Sequence, residues 1–378
     1  MLHSFSSNND GAHPESDLIA VNGVLYGTTT DGGTSSSKCS CGTVFSIDSS
    51  GNEKVIYRFT GGKDGAYPEG GLTYANGTFF GTTAGGGGAG LCPGPGNTAG
   101  CGTLFAVDAS GTERVIHRFQ GRPDGSVPVG DLVALNGKLY GVTSGGGTGC
   151  SYVGCGTVFT KDSSDHVNVL YSFKSVNDGN NPVVGLSLLH GKLYGTTSTS
   201  SRCKKGLDCG TVYTISQSGS ETVIHDFTQR QDGAYPNSTL VERNGRLYGT
   251  TFYGGNGCVS QGCGTIYSMD LSGADERIVW VFGVDNDGAN PAGKLKLDRD
   301  ALYGVTVHGG DWNCGVQYGC GTVYVYSLLT HVESPLHRFI GGDGAWPTGG
   351  ISEVGGSLYG TAYQGGHLGA GTVYTILE

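Results

Sequence analysis

The stretch DGAYPEGGLTYANGTFFGTT, residues 64–83, holds two turn signals, an apolar alternation and a Gly-Thr-Thr, and it returns along the chain. Its opening occurs seven times, as NDGAHP, KDGAYP, PDGSVP, NDGNNP, QDGAYP, NDGANP and GDGAWP, with aspartates at Asp10, Asp64, Asp124, Asp178, Asp232, Asp287 and Asp343. A repeat of about fifty residues marks an architecture in which one supersecondary unit buries its faces only against copies of itself. The copy that begins at residue 71 parses into four short strands, GLTYANG, TFFGTT, CGTLFAVDASG and TERVIHRF, with apolar and polar residues at period two. Asn76-Gly77 is a two-residue hairpin signal, and Asn22-Gly23, Asn136-Gly137 and Asn244-Gly245 stand in the same place. Ser50-Gly51, Ser110-Gly111, Ser218-Gly219 and Ser272-Gly273 mark the turn between third and fourth strands.

The repeat is therefore a four-stranded antiparallel meander, and seven of them predict an all-β fold, a seven-bladed β-propeller. The last copy supplies three strands, while LHSF at residues 2–5 matches the fourth-strand ending of VIHRF and VLYSF. The N-terminal strand is thus expected to complete the last blade. One domain spans residues 1–378, with blades at about 17–59, 71–119, 130–173, 184–227, 238–282, 293–339, and 350–378 plus 1–5. A closed parallel solenoid is the structural alternative, but it has no need of a strand from the opposite terminus.

The phrase Asn-Gly-x-Leu-Tyr-Gly-Thr-Thr-x-x-Gly-Gly followed by Gly-Thr-Val-Phe resembles the Gloeo-Verruco, or GloVer, tandem repeat of exported bacterial proteins. The match is specific at NGKLYG (136–141), at NGRLYGTT (244–251) and at CGTVF or CGTVY in several blades. The resemblance implies a secreted or surface-associated protein and carries over no activity and no catalytic residues. The cysteine pairs depart from the plain repeat.

Net charge is −10 with only 22 Lys and Arg, which argues against a nucleic-acid surface, because phosphate binding needs clustered cations. The 72 glycines follow no Gly-X-Y triplet and lie between alternating apolar residues, so they punctuate turns. No apolar run is long enough for a transmembrane segment. The opening MLHSFSSNND lacks the basic start and apolar stretch of a signal peptide, so an exported form is expected to have lost its signal. Twelve cysteines fall into six close pairs: Cys39/Cys41, Cys92/Cys101, Cys150/Cys155, Cys203/Cys209, Cys258/Cys263 and Cys314/Cys320. In each, the second cysteine stands directly before Gly-Thr, which predicts six local disulfides and an oxidising, extracellular location. Zinc is the alternative, but the pairs sit on different blades without a regular histidine partner, so no metal is assigned. Cys39-x-Cys41 closes the smallest ring and is the weakest member.

The seven Asp-Gly loops and the cysteine loops are expected on one face of the ring. The aspartates read as turn residues that accept hydrogen bonds from their own backbone; calcium is the alternative, with no other cofactor implied. His3, His117, His225 and His337 share one fourth-strand position with Tyr57 and Tyr171 and read as half-buried structural residues. Function is expected where the copies disagree. Before the loop proline stand His13, Tyr67, Val127, Asn181, Tyr235, Asn290 and Trp346, with Glu15 and Glu69 just after it; at the end of the second strand stand Asp31, Gly85, Gly145, Thr199, Tyr253, His308 and Gln364. The reactive types lie on consecutive blades five, six, seven, one and two. His13, Glu15, Asp31, His308 and His367 are candidate catalytic residues; Tyr67, Tyr235, Tyr253, Asp311, Trp312, Trp346 and Gln364 are candidate ligand contacts. Aromatic faces suit sugar rings, and carboxylates suit hydroxyls or acid–base cleavage. These residues predict a carbohydrate ligand, with a polysaccharide lyase or glycoside hydrolase, or a structural module for protein contacts, as alternatives. No nucleophile elbow, phosphate loop or zinc-protease helix is present. Asn76-Gly-Thr78 and Asn237-Ser-Thr239 fit the glycosylation triplet.

Overall fold

Alternating strands joined by tight turns build each repeat. A computed structural model of the chain describes residues 1–33, 39–88, 92, 100–151, 153–175, 177–200, 209–228, 232–256, 258, 262–283, 287–316 and 318–377. In blade 1 the strands are Ile19–Val21, Val24–Thr29, Thr43–Ile47 and Glu53–Arg58, each antiparallel to the next. Asn22 and Gly23 join the first two with φ of +53° and +80°, the left-handed pair that a type I′ turn requires. The same meander recurs in seven sheets, and no helix occurs among the described residues, so the fold is a seven-bladed β-propeller.

The Asp-Gly-x-x-Pro segment is part of the sheet rather than a free loop. In blades 3 and 6 the first strand starts within it, at Ser126–Leu135 and Ala289–Asp298. In blades 5 and 7 it forms the short strands Ala234–Pro236 and Ala345–Pro347. In blades 1, 2 and 4 it makes single bridges, Ala12 to Asp31, Ala66 to Gly85 and Asn180 to Thr199. Every blade thus lays this segment beside the end of its own second strand.

Two contacts hold neighbouring blades together. The phenylalanine that ends each fourth strand packs edge to face on the third-strand aromatic of the next blade: Phe5–Phe45, Phe59–Phe105, Phe119–Phe159, Phe173–Tyr213, Phe227–Tyr267, Phe282–Tyr324 and Phe339–Tyr374. Their centroids lie 4.9–5.2 Å apart. The second contact explains the glycine of Cys-Gly-Thr. A Cβ on Gly42, Gly102, Gly156, Gly210, Gly264, Gly321 or Gly371 would lie within 2.8 Å of Cδ of the next blade's loop proline, and all seven have φ between +83° and +96°. Only glycine admits both the backbone and the neighbour.

Threonines fasten the strand ends. The second threonine of Gly-Thr-Thr bonds the first threonine of the third strand at 2.8–2.9 Å in blades 1 and 2 (Thr29–Thr43, Thr83–Thr103) and again in blades 3 to 6. The loop aspartates cap their own turns: Asp64 accepts the Thr60 amide at 2.8 Å, and Asp178 that of Lys174 at 2.9 Å. Each also meets the ring at the repeated fourth-strand position, as in Tyr57 to Asp64 at 3.1 Å, Trp280 to Asp287 at 3.3 Å and His337 to Asp343 at 2.7 Å.

Closure uses both termini. His3–Ser4 pairs antiparallel with Thr372–Leu377, in the register His3 to Val373, and Phe5 donates its amide to Gly371 at 3.0 Å. Cys39–Cys41, Cys92–Cys101, Cys150–Cys155, Cys258–Cys263 and Cys314–Cys320 are bridged, with Cα separations of 5.1–6.1 Å. Cys39–Cys41 is bridged despite its short ring. The expected sixth pair, Cys203–Cys209, is not among these five, because Cys203 lies outside the described residues. Cys209 is itself buried and disulfide-bonded, and its carbonyl accepts the Tyr235 amide at 2.9 Å, the place that the second cysteine holds in the other blades. The five described bridges point to an oxidising environment. Among the described residues no helix is long and apolar enough to cross a membrane.

Glutamates enter five of the seams beside the preceding loop aspartate. Burial first, and then that aspartate, push Glu53 and Glu221 up to about 7 and Glu333 up to about 8; Glu276 also reaches about 7, and Glu113 rises for the same two reasons. Since a glutamate titrates near 4.5 once exposed, the folded ring holds these protons more tightly than the unfolded chain does. Stability should therefore fall as pH rises from about 5 through 8. Thermal unfolding at pH 5.5 and pH 8 tests this: the midpoint should be higher at pH 5.5, and Glu333→Gln should reduce the difference.

Phe5 is fully buried. Phe5→Ala should destabilise the fold by about 3–5 kcal/mol, the usual cost of emptying such a site. Chemical denaturation measures it, and an unchanged midpoint would mean that the N-terminal strand does not close the ring.

Candidate functional site at the cysteine-loop face

Seven side chains are set in a ring by an unusual backbone. The residue before each loop proline has positive φ: His13 +55°, Tyr67 +59°, Val127 +53°, Asn181 +55°, Tyr235 +58°, Asn290 +59° and Trp346 +55°. This is unfavourable for side chains other than glycine, most of all for β-branched Val127. It persists because the backbone is held from both sides. The amide of each bonds the carbonyl of the preceding blade's second cysteine, as in Tyr67 to Cys41 at 2.9 Å; in blade 7 Ala370 replaces that cysteine and receives His13 at 2.8 Å. The carbonyls of His13 and Tyr67 accept from the amides of Thr30 and Ala84, each just past the end of the second strand. Cysteine loops and Asp-Gly loops therefore share one face, as expected.

The richest sector lies where blades 7, 1 and 2 meet. His13 Nδ1 stands 2.8 Å from Asp31 Oδ2, and its ring lies nearly flat on Tyr363, with centroids 4.5 Å apart and an interplanar angle of 21°. Thr30 donates its hydroxyl to Glu15 at 3.3 Å. Burial pushes Glu15 up to about 7, helped by Glu69 and Asp31; burial and Asp31 push Glu69 to about 7 as well. Burial and Asp31 raise the phenol of Tyr67, and burial with Glu15, Asp31 and Glu69 raises that of Tyr363. Three carboxyl groups, an oriented imidazole and two phenols thus share one field.

Beneath this sector the central channel opens. Glu15 and Glu69 line a cavity of about 520 Å³ to which every blade contributes, with Tyr235 and Phe252 on the opposite wall. Asp17, Asp131, Thr239 and Lys294 form its floor and also line a second cavity of about 390 Å³ beyond it. Asp131 accepts the Gly71 amide at 2.8 Å and lies 3.7 Å from Lys294 Nζ; Asp17 accepts the amide of Gly350. Burial, with Asp131 next, pushes Asp17 up to about 7, and Asp131 raises Lys294. About half of the Lys294 side chain is exposed where it lines the cavity.

The other expected residues form separate groups. His308 Nδ1 meets Asn290 Oδ1 at 3.0 Å and packs edge on to Trp346 and Tyr318, with burial pushing its imidazole down. Trp346 donates its indole to the Gly319 carbonyl at 3.2 Å. Tyr235 and Tyr253 stand edge to face at 6.1 Å. Asp311 accepts the Asn313 amide at 2.8 Å on an outer loop where Trp312 is half exposed. His367 is exposed, its amide bonded to Ser4 Oγ, and the Gln364 backbone pairs with Ala345. A cavity of about 890 Å³ opens over blades 2 to 4, lined by Gln120, Arg122, Val127, Asn180 and Asn181. Its volume exceeds that of the channel, but among the described residues of its wall there is no carboxylate or imidazole.

Several residues escape a reading of the chain by itself. Tyr363 reaches His13 across the joined termini, a separation that no local pattern reports. Asp17, Asp131 and Lys294 did leave a signal: they stand before the leucine, or in blade 7 Ile351, that opens each blade, where other copies carry Gly71, Gly185, Thr239 and Gly350.

Among solved structures the chain is similar to a putative 6-phosphogluconolactonase from Bacteroides fragilis, at 12% identity and TM-score 0.56, covering 96% of this chain and 97% of that one. An oligogalacturonate lyase in complex with manganese matches at 13% and 0.54, covering 98% and 90%. A puromycin-hydrolyzing peptidase from Mycobacterium tuberculosis matches at 11% and 0.56, covering 98% of this chain but only 53% of that one. Likeness at this identity shows a shared fold alone. No curated protein sequence matches. The family model of the Gloeobacter/Verrucomicrobia repeat matches residues 90–318 and 258–378. With that match across most of its length, and the repeat visible in every blade, the chain belongs to the Gloeobacter/Verrucomicrobia repeat family.

Proposed function

We propose that the protein is an exported binding propeller whose ligand is a carbohydrate, held on the cysteine-loop face over blades 7, 1 and 2. The observation that carries the reading is the His13 imidazole, fixed at 2.8 Å from Asp31 and packed flat on Tyr363 beside the Glu15 and Glu69 carboxyls. Sugar hydroxyls are donors and acceptors at once, and carboxylates with an oriented imidazole answer both roles. Tyr67 and Tyr363 add apolar ring surface for the C–H faces of a pyranose. The preset backbone lowers the entropy lost on binding, since the side chains leave from fixed positions.

A second reading, carbohydrate cleavage by a lyase or hydrolase, draws on the two glutamates held near 7. At neutral pH such a pair supplies both a protonated acid and an ionised base.

A glycan array followed by titration calorimetry with the best oligosaccharide tests both. His13→Ala, Asp31→Asn and Tyr363→Ala should each weaken binding by about 1–3 kcal/mol, and Val127→Ala and Asn181→Ala should leave it unchanged. Release of product from that oligosaccharide, abolished by Glu15→Gln with affinity spared, would favour cleavage. A stoichiometry near seven, or equal losses in both sectors, would contradict a single site.

A further inference from the structure

Four seams of the ring set a fourth-strand histidine against the loop aspartate that follows it, and they fall into two kinds. His117–Asp124 and His337–Asp343 are hydrogen-bonded at 2.8 and 2.7 Å. His3–Asp10 and His225–Asp232 stand at 3.4 Å. In these two seams alone among the four, the next blade brings a glutamate, Glu53 or Glu276, beside the same aspartate. The difference extends to single atoms. Nε2 of His3 and of His225 is buried without a hydrogen-bond partner, and so is Oε1 of Glu53 and Glu276, as it is of the glutamates in the other three glutamate seams. Buried polar atoms are nearly always paired, so atoms left open at one point ask for a shared partner.

Between blades 4 and 5 the three side chains converge. One ligand atom from each of His225, Asp232 and Glu276 lies within 4.8 Å of the other two. A first-row metal ion with bonds near 2.1 Å sets its ligands about 3.4 Å apart, so side-chain rotation of about an ångström closes the set. The His225 and Asp232 side chains are 16% and 12% exposed, which gives an ion a path in and a dry setting once there. Two carboxylates repel in that setting, and an imidazole donates to only one of them. A dication satisfies all three.

We propose that His225, Asp232 and Glu276 form a binding site for a divalent transition-metal cation of the Zn²⁺ or Mn²⁺ type. The imidazole nitrogen selects this class over Ca²⁺ and Mg²⁺, which prefer oxygen alone. The ligands come from three segments: the fourth strand of blade 4, Glu221–Asp226; the Asp-Gly loop; and the residue just ahead of the Arg277–Val281 strand of blade 5. The ion is therefore a staple between two blades, independent of the carbohydrate site. Binding requires a neutral imidazole and ionised carboxylates, so affinity falls with acid.

The test uses the full chain, free of any polyhistidine tag and stripped with chelator, titrated with ZnCl₂ and with MnCl₂ by calorimetry. At least one ion should bind at pH 7 and raise the melting temperature, with affinity falling toward pH 5. Glu276→Gln and His225→Asn should each weaken that event at least about 10–100-fold. His117→Asn, in a seam with no glutamate ligand, should not. Glu276→Gln keeps the side chain's shape, so it decides the matter even if His225→Asn fails to fold. Absence of saturable binding by either ion, or binding that Glu276→Gln leaves intact, would overturn the site.

Discussion

A missing Cβ sets the geometry of this ring. Each Cys-Gly-Thr glycine lets the next blade's loop proline seat directly on the strand, and the amide beside that proline then reaches the preceding carbonyl. Substitution by alanine would bring two fixed backbones into collision while also requiring positive φ, so the seam would have to open. The edge-to-face phenylalanine contact lies in the same seam and supplies apolar burial there. The contact is repeated seven times, and at the seventh the N-terminal strand supplies the outer strand of the last blade, so the two ends of the chain are held in one sheet.

The same lock produces the site. The residue before each seated proline lies in the left-handed region, and the backbone hydrogen bonds that hold it there offset the strain. Seven side chains therefore leave the backbone in equivalent directions whatever their chemistry. The frame is common to all blades, and difference arises only from which side chain stands at each point: histidine over aspartate in blade 1, asparagine over histidine in blade 6, tyrosine over tyrosine in blade 5. A rigid repeated scaffold with variable tips suits recognition, and its carboxyls poised near neutrality add acid–base capacity.

Much of the fold was legible in the chain because its signals are local. Asn76-Gly77 turns as a type I′ pair must, and LHSF carries the fourth-strand pattern into the N-terminus, where His3–Ser4 does pair with the last strand. The aspartate reading holds for the same reason, since each loop carboxylate caps amides a few residues away. The site was legible only as positions. Reading consecutive blades as one arc joined His13, His308, Trp346 and His367, whereas His13 packs on Tyr363, His308 and Trp346 pack on each other, and His367 is exposed. The contacts that matter most, His13 on Tyr363 and Glu276 beside His225, cross a seam. Hydrophobic periodicity reports which face of a strand is buried and nothing about which side chains meet across two sheets.

Hydrogen exchange of the full chain with and without a bound oligosaccharide tests the central claim most directly, that one sector of an otherwise equivalent ring holds the ligand. The account predicts added protection confined to residues 10–16, 29–33, 64–70 and 361–366, with the corresponding loops of blades 3 and 4 unchanged. Equal protection of all seven Asp-Gly loops, or protection centred on residues 120–127 and 178–182, would contradict it.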